Sequence, residues 1–163
     1  MKILIFLIMF ISLDGLATVS LNGLWKLKDF NCKDGTQSEF VKLNRSLYAM
    51  GRTEETLEIE NKTAIFSMKN WSTSKKNYCT QRSNEIWDID ESTSTYRVLK
   101  RNIPPVENHG RKCLSLNQMS PLPQSRSFEL SQDTLKIFGT FRGVKTKKVC
   151  KIGPLEWIYV RVQ

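Results

Sequence analysis

The sequence predicts an all-β fold, a single antiparallel up-and-down β-barrel of about eight to ten strands. Three observations support this prediction. From Gly23 onward, apolar and polar residues alternate in short segments, which is typical of half-buried strands. Turn residues separate these segments. One face of each segment is apolar, and closing the sheet into a barrel hides that face together with the strand edges.

The first residues predict a signal peptide at residues 1–17. Lys2 precedes an apolar run over residues 3–11, and small residues precede a cut after Ala17. The run is shorter than the roughly 20 residues that a membrane-crossing helix needs, so we expect no transmembrane segment after cleavage. Residues 18–163 then form one mature domain, which we expect to be secreted or periplasmic.

Charge and cysteine content add to this description. The net charge is +9, which either draws an exported domain to anionic surfaces or only keeps it soluble. An even number of cysteines in an exported chain predicts disulfides, and the wide spacing does not resemble a zinc site. The four cysteines are Cys32, Cys79, Cys113 and Cys150. Two disulfides are expected, and spacing alone leaves three pairings open.

The elements follow in order along the mature chain. The first strand carries Trp25 and Leu27 on one face and ends at a turn over residues 32–35. Residues 38–51 have apolar side chains three or four positions apart, at Phe40, Leu43, Leu47 and Met50. This spacing favours a short helix across one barrel mouth, with a strand as the alternative. Further strands are predicted at residues 57–60, 64–68, 77–81, 85–90, 96–99, 127–130, 135–138, 147–150 and 155–161.

Residues 101–125 interrupt this pattern. They hold four of the five prolines and predict irregular structure around a short segment at residues 112–116. A loop of this length in a small domain is usually functional or forms a rim that shapes an opening.

The two ends of the mature chain resemble a known family. Gly23-x-Trp25 on the first strand, together with Arg161 near the end of the last, resembles the lipocalin and wider calycin pattern. More narrowly, the chain is similar to small secreted lipocalin-like proteins of bacteria, which have a Cys followed by an Asp-Gly turn and a last strand that ends in Tyr-x-Arg.

The resemblance implies a role for Trp25 and Arg161. In that family the arginine packs across the tryptophan and closes one end of the barrel, a contact that a cation–π interaction favours. If the first and last strands pair in this way, Cys32 approaches Cys150. Cys79 then pairs with Cys113.

The sequence offers little catalytic chemistry. His109 is the only histidine, and it lies in the proline-rich region rather than at a strand-to-helix elbow. No calcium-type acidic loop and no glycine-rich phosphate loop is present. We therefore expect no catalytic residue, no metal and no cofactor.

Two carboxylate pairs are candidates for acid–base work, Glu54 with Glu55 and Asp88 with Asp90. Adjacent carboxylates on a strand are more often solvated, and Asp88 and Asp90 alternate with residues that should face inward. We expect both pairs to lie on the surface.

Aromatic residues are the better indication of binding. A ligand pocket would be lined by side chains that share the inward face of several strands, but core packing accounts for them equally well. These candidates are Phe66, Trp87, Tyr96, Trp157 and Tyr159.

A basic patch is predicted in the turn before the last strand. If this turn shares a rim with Lys75 and Lys76, the two would attract anions. The patch consists of Arg142, Lys145, Lys147, Lys148 and Lys151. Aromatic residues are not interleaved among these positions, so we expect no specific nucleic-acid partner.

The sequence thus predicts a monomeric, non-catalytic, lipocalin-like binding protein for a small apolar or amphipathic molecule. The alternative is a protein-binding module, such as an inhibitor or an envelope- or host-interaction factor, that meets an anionic surface or a protein partner through its loops and basic rim. A cavity lined by Trp87, Tyr96 and Trp157 would favour ligand binding. A filled interior with an exposed apolar or basic patch would favour the module.

Overall fold

Eight antiparallel strands of the computed structural model close into a barrel, as the sequence predicts, and a short ninth strand extends the sheet. The structure describes residues 19–36, 39–110, 113, 124–139, 150 and 153–163. The elements are β1 (Gly23–Cys32), α1 (Glu39–Ala49), β2 (Thr53–Glu60), β3 (Thr63–Trp71), β4 (Tyr78–Asp90), β5 (Thr95–Asn102), β6 (Glu107–His109), β7 (Gln124–Leu130), β8 (Thr134–Gly139) and β9 (Leu155–Arg161).

The barrel is an up-and-down meander. Each barrel strand pairs antiparallel with the next, β5 pairs with β7, and β1 closes the barrel by pairing with β9. The short β6 pairs with the start of β4, over Tyr78–Thr80, beyond the point where β5 has ended. Strands β1, β3, β5 and β8 therefore run towards one end, which carries α1 and which we call the open end.

The opposite, closed end is built around Trp25. This side chain is fully buried, and its Nε1 donates to the carbonyl oxygen of Leu21 at 2.9 Å. The guanidinium carbon of Arg161 lies 4.1 Å from the centroid of the indole ring. Gly23 has a φ of +139°, and a Cβ there would come within 2.7 Å of Arg161 Nη1. The glycine therefore leaves the space through which the arginine reaches the tryptophan.

Both disulfides join residues at the open end. Cys32 at the end of β1 is bonded to Cys150, and Cys79 near the start of β4 is bonded to Cys113. These are the two pairings that the family resemblance implies. The closed end is held by packing and the open end by covalent bonds.

The predicted helix is present, but it buries a different face. Val41 is fully buried, and the ring of Tyr48 packs edge-on against Phe30 at 5.7 Å. Arg45, on the same face, pairs with Asp29 of β1 at 2.8 Å. Leu43, which the spacing places on the buried face, is 62% exposed. Since α1 lies against β1 and β2, the residues that reach those strands determine its orientation.

Several other segments differ from the predictions or lie outside the described residues. The segments 77–81 and 85–90 belong to the single strand β4, and β6 is not predicted. The signal peptide (1–17), most of the segments 112–116 and 147–150, and the whole predicted basic patch (Arg142, Lys145, Lys147, Lys148 and Lys151) lie outside the described residues. Within the described ranges, no helix is long and apolar enough to cross a membrane.

Candidate functional site

The interior of the barrel has two layers. The lower layer, towards the closed end, is filled by side chains that are at most 2% exposed. Its largest members are Trp25, Leu57, Ile59, Trp87, Tyr96, Leu135, Ile137 and Tyr159. Trp87 and Tyr96 stack on each other with their ring centroids 3.9 Å apart. This half of the barrel is therefore a packed core.

The upper layer, towards the open end, is not closed to solvent. Phe66 and Met68 follow the buried Ala64 at alternate positions of β3, so all three side chains share the inward face. Trp157 shares the inward face of β9 with the buried Tyr159. Phe66, Met68 and Trp157 nonetheless remain partly exposed. Solvent therefore reaches the inner wall of the barrel at this level.

Most other inward side chains of the upper layer are polar. Four strands contribute them: Glu55 (β2), Gln81, Ser83 and Glu85 (β4), Arg101 (β5), Gln124 and Arg126 (β7).

Glu85 and Arg101 form a buried ion pair in this layer. Their Oε1 and Nε atoms are 2.6 Å apart, and the two side chains are 4% and 7% exposed. Trp87 Nε1 donates to the other Glu85 oxygen at 2.8 Å. Arg101 also reaches the side-chain oxygen of Gln124 at 3.4 Å. Arg101 and Trp87 thus contact one oxygen each of the Glu85 carboxylate.

Arg126 lies beside this ion pair. Its Nη2 donates to the Gln124 oxygen at 3.1 Å, and its Nη1 makes a longer contact of 3.5 Å with the hydroxyl of Tyr96. The guanidinium carbon lies 5.2 Å from the centroid of the Trp157 ring. A Cβ at Gly139 would come within 3.3 Å of Arg126 Nε and of Trp157. Because Gly139 has no side chain, Arg126 has room to lie against the Trp157 ring.

Three buried polar atoms of the upper layer have no hydrogen-bond partner among the described residues. They are Gln81 Nε2, Ser83 Oγ and Arg126 Nε. A buried polar group without a partner costs about 1–3 kcal/mol, so natural proteins leave few of them, and those that remain call for an explanation. All three belong to inward-facing residues of β4 and β7.

Glu55 lies on the other side of the interior, and the prediction that it is solvated was wrong. Tyr159 and Tyr48 donate hydrogen bonds to its two oxygens at 2.5 and 3.2 Å. Burial raises the pKa of Glu55, while these two hydrogen bonds and the charge of Arg126 act in the opposite direction. Glu54, in contrast, faces outward and pairs with Lys26 at 3.3 Å, as expected for a surface residue.

The raised pKa of Glu55 predicts a dependence of stability on pH. The unfolded chain releases this proton near pH 4.3, about the usual value for Glu, whereas the folded chain keeps it to a higher pH. We therefore expect the free energy of unfolding to fall as the pH rises through this interval, and to fall less in the Glu55→Gln variant. Urea denaturation in steps from about pH 4 to pH 8 measures this difference.

The surface variant Glu54→Gln is the control, and its pH dependence should follow that of the natural protein. If Glu55→Gln and Glu54→Gln gave the same pH dependence, Glu55 would not titrate as the structure indicates.

The predicted pocket residues are divided between the two layers. Trp87, Tyr96 and Tyr159 are buried in the lower layer, while Phe66 and Trp157 line the upper one. His109 lies outside the barrel wall, stacked on Tyr78 at 4.2 Å. In the described part of the chain, no three potential metal ligands cluster together.

The sequence reasoning missed Glu55, Arg101 and Arg126 as interior residues. The alternation along the strand could have identified two of them. Glu55 lies two positions before the inward-facing Leu57 on β2, and Arg126 lies two positions before the inward-facing Phe128 on β7.

A groove also lies beside α1. It has a volume of about 800 Å³, and residues of α1, β1 and β2, together with Trp71 and Lys75, line it. Charges of both signs face it, among them the pairs Lys26–Glu54 and Arg45–Asp29. A smaller groove of about 480 Å³ adjoins the end of α1 near Arg52 and Trp71.

No protein-family model matches the chain, and a search of curated proteins finds no significant match.

Proposed function

We propose that this chain is a lipocalin-like calycin, exported from the cell, that binds one small amphipathic molecule in the upper layer of its barrel and does not act on it as an enzyme. The up-and-down barrel and the contact between Arg161 and Trp25 support the family. The two disulfides and the signal-peptide pattern support export.

The observation that carries the proposal is the partial exposure of inward side chains in the upper layer. A barrel of about eight strands has room for side chains or for one small ligand. In the lower layer, packed and buried side chains fill the interior. In the upper layer Phe66, Met68 and Trp157 are partly exposed, which leaves apolar surface on the inner wall that a ligand can cover.

The chemistry of this layer favours an amphipathic ligand over a purely apolar one. Phe66, Met68 and Trp157 offer apolar surface, on which a hydrocarbon or aromatic body gains about 25 cal/mol per Å² buried. The same layer carries the partly exposed polar side chains of Gln124 and Arg126, which a purely apolar molecule would cover without bonding to them. That would oppose its binding, whereas a ligand with a polar end can hydrogen-bond to them.

The grooves beside α1 favour a second function, the protein-binding module. The larger groove, of about 800 Å³, is lined by ion pairs of both signs and by Phe30, Tyr48 and Trp71, which can contact charged and aromatic side chains of a partner protein. The basic patch lies outside the described residues and adds nothing to the choice.

Native mass spectrometry of the protein purified from its own host tests the first function. We expect one small molecule bound per chain. The Met68→Trp variant, which fills the upper layer, should lower the bound fraction about tenfold, a loss of roughly 1.4 kcal/mol of binding free energy. Leu99→Trp is the matched control, since Leu99 projects outward from the barrel and is 51% exposed.

Two results would contradict ligand binding in the upper layer. One is a bare chain in every preparation. The other is a bound molecule that Met68→Trp and Leu99→Trp retain equally. A protein chain that co-purifies in a fixed ratio, in place of a small molecule, would support the module.

A further inference from the structure

We propose that the outer wall of the barrel binds an acidic saccharide at a row of three aromatic side chains, Trp71, Tyr78 and His109. We call these three side chains the ring row. The site lies on the outer face of the wall, whereas the upper layer lies on the inner face. The two sites are therefore separate, and this inference does not rest on the proposed function.

The ring row crosses three neighbouring strands at the open end. Trp71, the last residue of β3, lies opposite Tyr78 on β4, and Tyr78 lies opposite His109 on β6. Trp71 and Tyr78 are out of step with the inward-facing residues of their strands, so both project outward. The ring centroids of Trp71 and Tyr78 are 6.3 Å apart, and those of Tyr78 and His109 are 4.2 Å apart. The three rings therefore form one contiguous surface.

The third ring comes from a strand that the barrel does not need for its closure. Strand β6 lies outside the eight barrel strands and pairs with the start of β4. The Cys79–Cys113 disulfide ties β4 to the chain just after β6. Gly110, with a φ of +74°, lies so close to β4 that a Cβ would come within 2.6 Å of Asn77 Oδ1. Neither feature closes the barrel, whereas both keep β6, and with it the third ring, beside β4.

Trp71 offers the surface on which a sugar can stack. It is partly exposed and lines both grooves beside α1, of about 800 and 480 Å³. One face of a sugar ring consists of C–H groups, which carry a small positive charge. The face of an indole carries the negative part of the ring quadrupole, so the two faces attract each other.

Hydrogen-bonding groups surround this stacking surface. The Nε1 of Trp71 and the hydroxyl of Tyr78 have no hydrogen-bond partner among the described residues. Asn70 lines the smaller groove, and its Oδ1 accepts a hydrogen bond from Thr53 at 2.9 Å. Its amide nitrogen has no partner in the described part of the chain. Because a hydroxyl both donates and accepts hydrogen bonds, the hydroxyls at the edge of a sugar ring can pair with all of these groups.

The charges around the ring row favour an acidic saccharide over a neutral one. Arg52 and Lys75 each line one of the two grooves beside the indole, and Lys69 Nζ lies 6.0 Å from the centroid of the Tyr78 ring. Within the described ranges, none of these three cations forms an ion pair. Glu107 opposes them with a single negative charge, 3.6 Å from the imidazole of the ring row. The local charge is therefore positive, and a negatively charged ligand complements it.

The test uses tetragalacturonate and its fully methyl-esterified form, which differ only in that the ester has no negative charge. Ligand-observed NMR titration at low ionic strength and neutral pH measures the affinity of each probe for the natural protein. We expect the ester to bind about tenfold more weakly, since it cannot pair with the three cations. Trp71→Ala should weaken the binding of tetragalacturonate about tenfold, because the stacking surface is lost. Trp71→Phe keeps an aromatic face and should retain most of the affinity.

A second pair of variants tests the charge at the site. Lys69→Gln removes a cation beside the ring row and should weaken the binding of tetragalacturonate. Lys62→Gln is the matched control, since Lys62 is exposed at the turn between β2 and β3, at the closed end of the barrel. Both variants lose one positive charge, so an effect of net charge alone would appear equally in the two.

Four results would overturn the proposal: no binding of tetragalacturonate to the natural protein, equal affinity for acid and ester, full affinity in Trp71→Ala, or equal losses in Lys69→Gln and Lys62→Gln. A thymidine tetranucleotide is the third probe, because its bases also stack on aromatic side chains and its phosphates are negative. If it bound more tightly than tetragalacturonate and lost affinity in Trp71→Ala, the ring row would be a nucleic-acid site and the saccharide proposal would fail. All of these results leave ligand binding in the upper layer standing. The comparison of acid with ester on the natural protein is decisive even if a variant does not fold.

Discussion

Replacing Trp25 by alanine is expected to lower the free energy of unfolding by about 3–5 kcal/mol, the usual cost of removing a large buried aromatic side chain. The indole is fully buried at the closed end, so its removal leaves a cavity that the surrounding strands can fill only in part. Arg161 would lose the ring over which it lies at 4.1 Å. The effect should be large because one substitution removes both the packing and the cation–π contact.

Urea denaturation followed by far-ultraviolet circular dichroism measures this loss. The neighbouring Leu24→Ala is the control, since Leu24 faces outward and is 41% exposed, and it should change the stability by no more than about 0.5 kcal/mol. If Trp25→Ala lost ligand binding but kept its stability, Trp25 would belong to the binding site and would not serve to close the barrel.

The second large effect is expected from removing the Cys32–Cys150 disulfide by substituting both cysteines with alanine. This bond spans 118 positions of the chain, and in the loop-entropy model a loop of that length contributes about 5 kcal/mol. It also ties the end of β1 to the residues that precede β9. We therefore expect the double variant to unfold at a markedly lower urea concentration.

The other disulfide supplies the comparison. Cys79–Cys113 spans only 34 positions, for which the same model gives about 4 kcal/mol. Denaturation of the two double variants side by side should therefore show the larger loss for Cys32 and Cys150. The reverse order would mean that contacts of the native open end, rather than the entropy of the unfolded chain, determine the effect.

The fold could be predicted because its main determinants are local or lie at the ends of the chain. Alternation of apolar and polar residues marks strands wherever the inward side chains are apolar, as at Leu57 and Ile59 of β2. The family resemblance then pairs the first and last strands, and that pairing brings Cys32 near Cys150. Alternation and the pairing of the two end strands thus indicated a closed barrel of about eight to ten strands, and the structure has a closed barrel of eight.

The inward-facing polar residues of the upper layer could not be predicted, because the alternation of apolar and polar residues identifies an inward face only where that face is apolar. Gln81, Ser83 and Glu85 face inward, but as polar residues they make β4 look like two strands with a gap between them. The inward position of Arg101 is even harder to predict from the sequence. The register between β4 and β5 shifts between Ile86 and Trp87, so counting in twos from Val98 assigns Arg101 to the outer face. Polar inward residues and register shifts both occur in the layer proposed to bind the ligand.

The helix shows a different limit of the sequence. Its apolar residues are spread around the cylinder, so spacing alone allows more than one buried face. The choice depends on partners distant in the chain, such as Asp29 for Arg45 and Phe30 for Tyr48.

Strand β6 has a consequence for the behaviour of this protein at high concentration. No described strand pairs with its outer edge, so its backbone groups are a potential template for a strand of another molecule. The edge is only three residues long, all of them exposed, and Glu107 and His109 place polar, ionisable side chains along it. Short, polar edges discourage intermolecular sheet formation. Among the described strands, the one that lies outside the barrel is thus protected against aggregation by its length and composition.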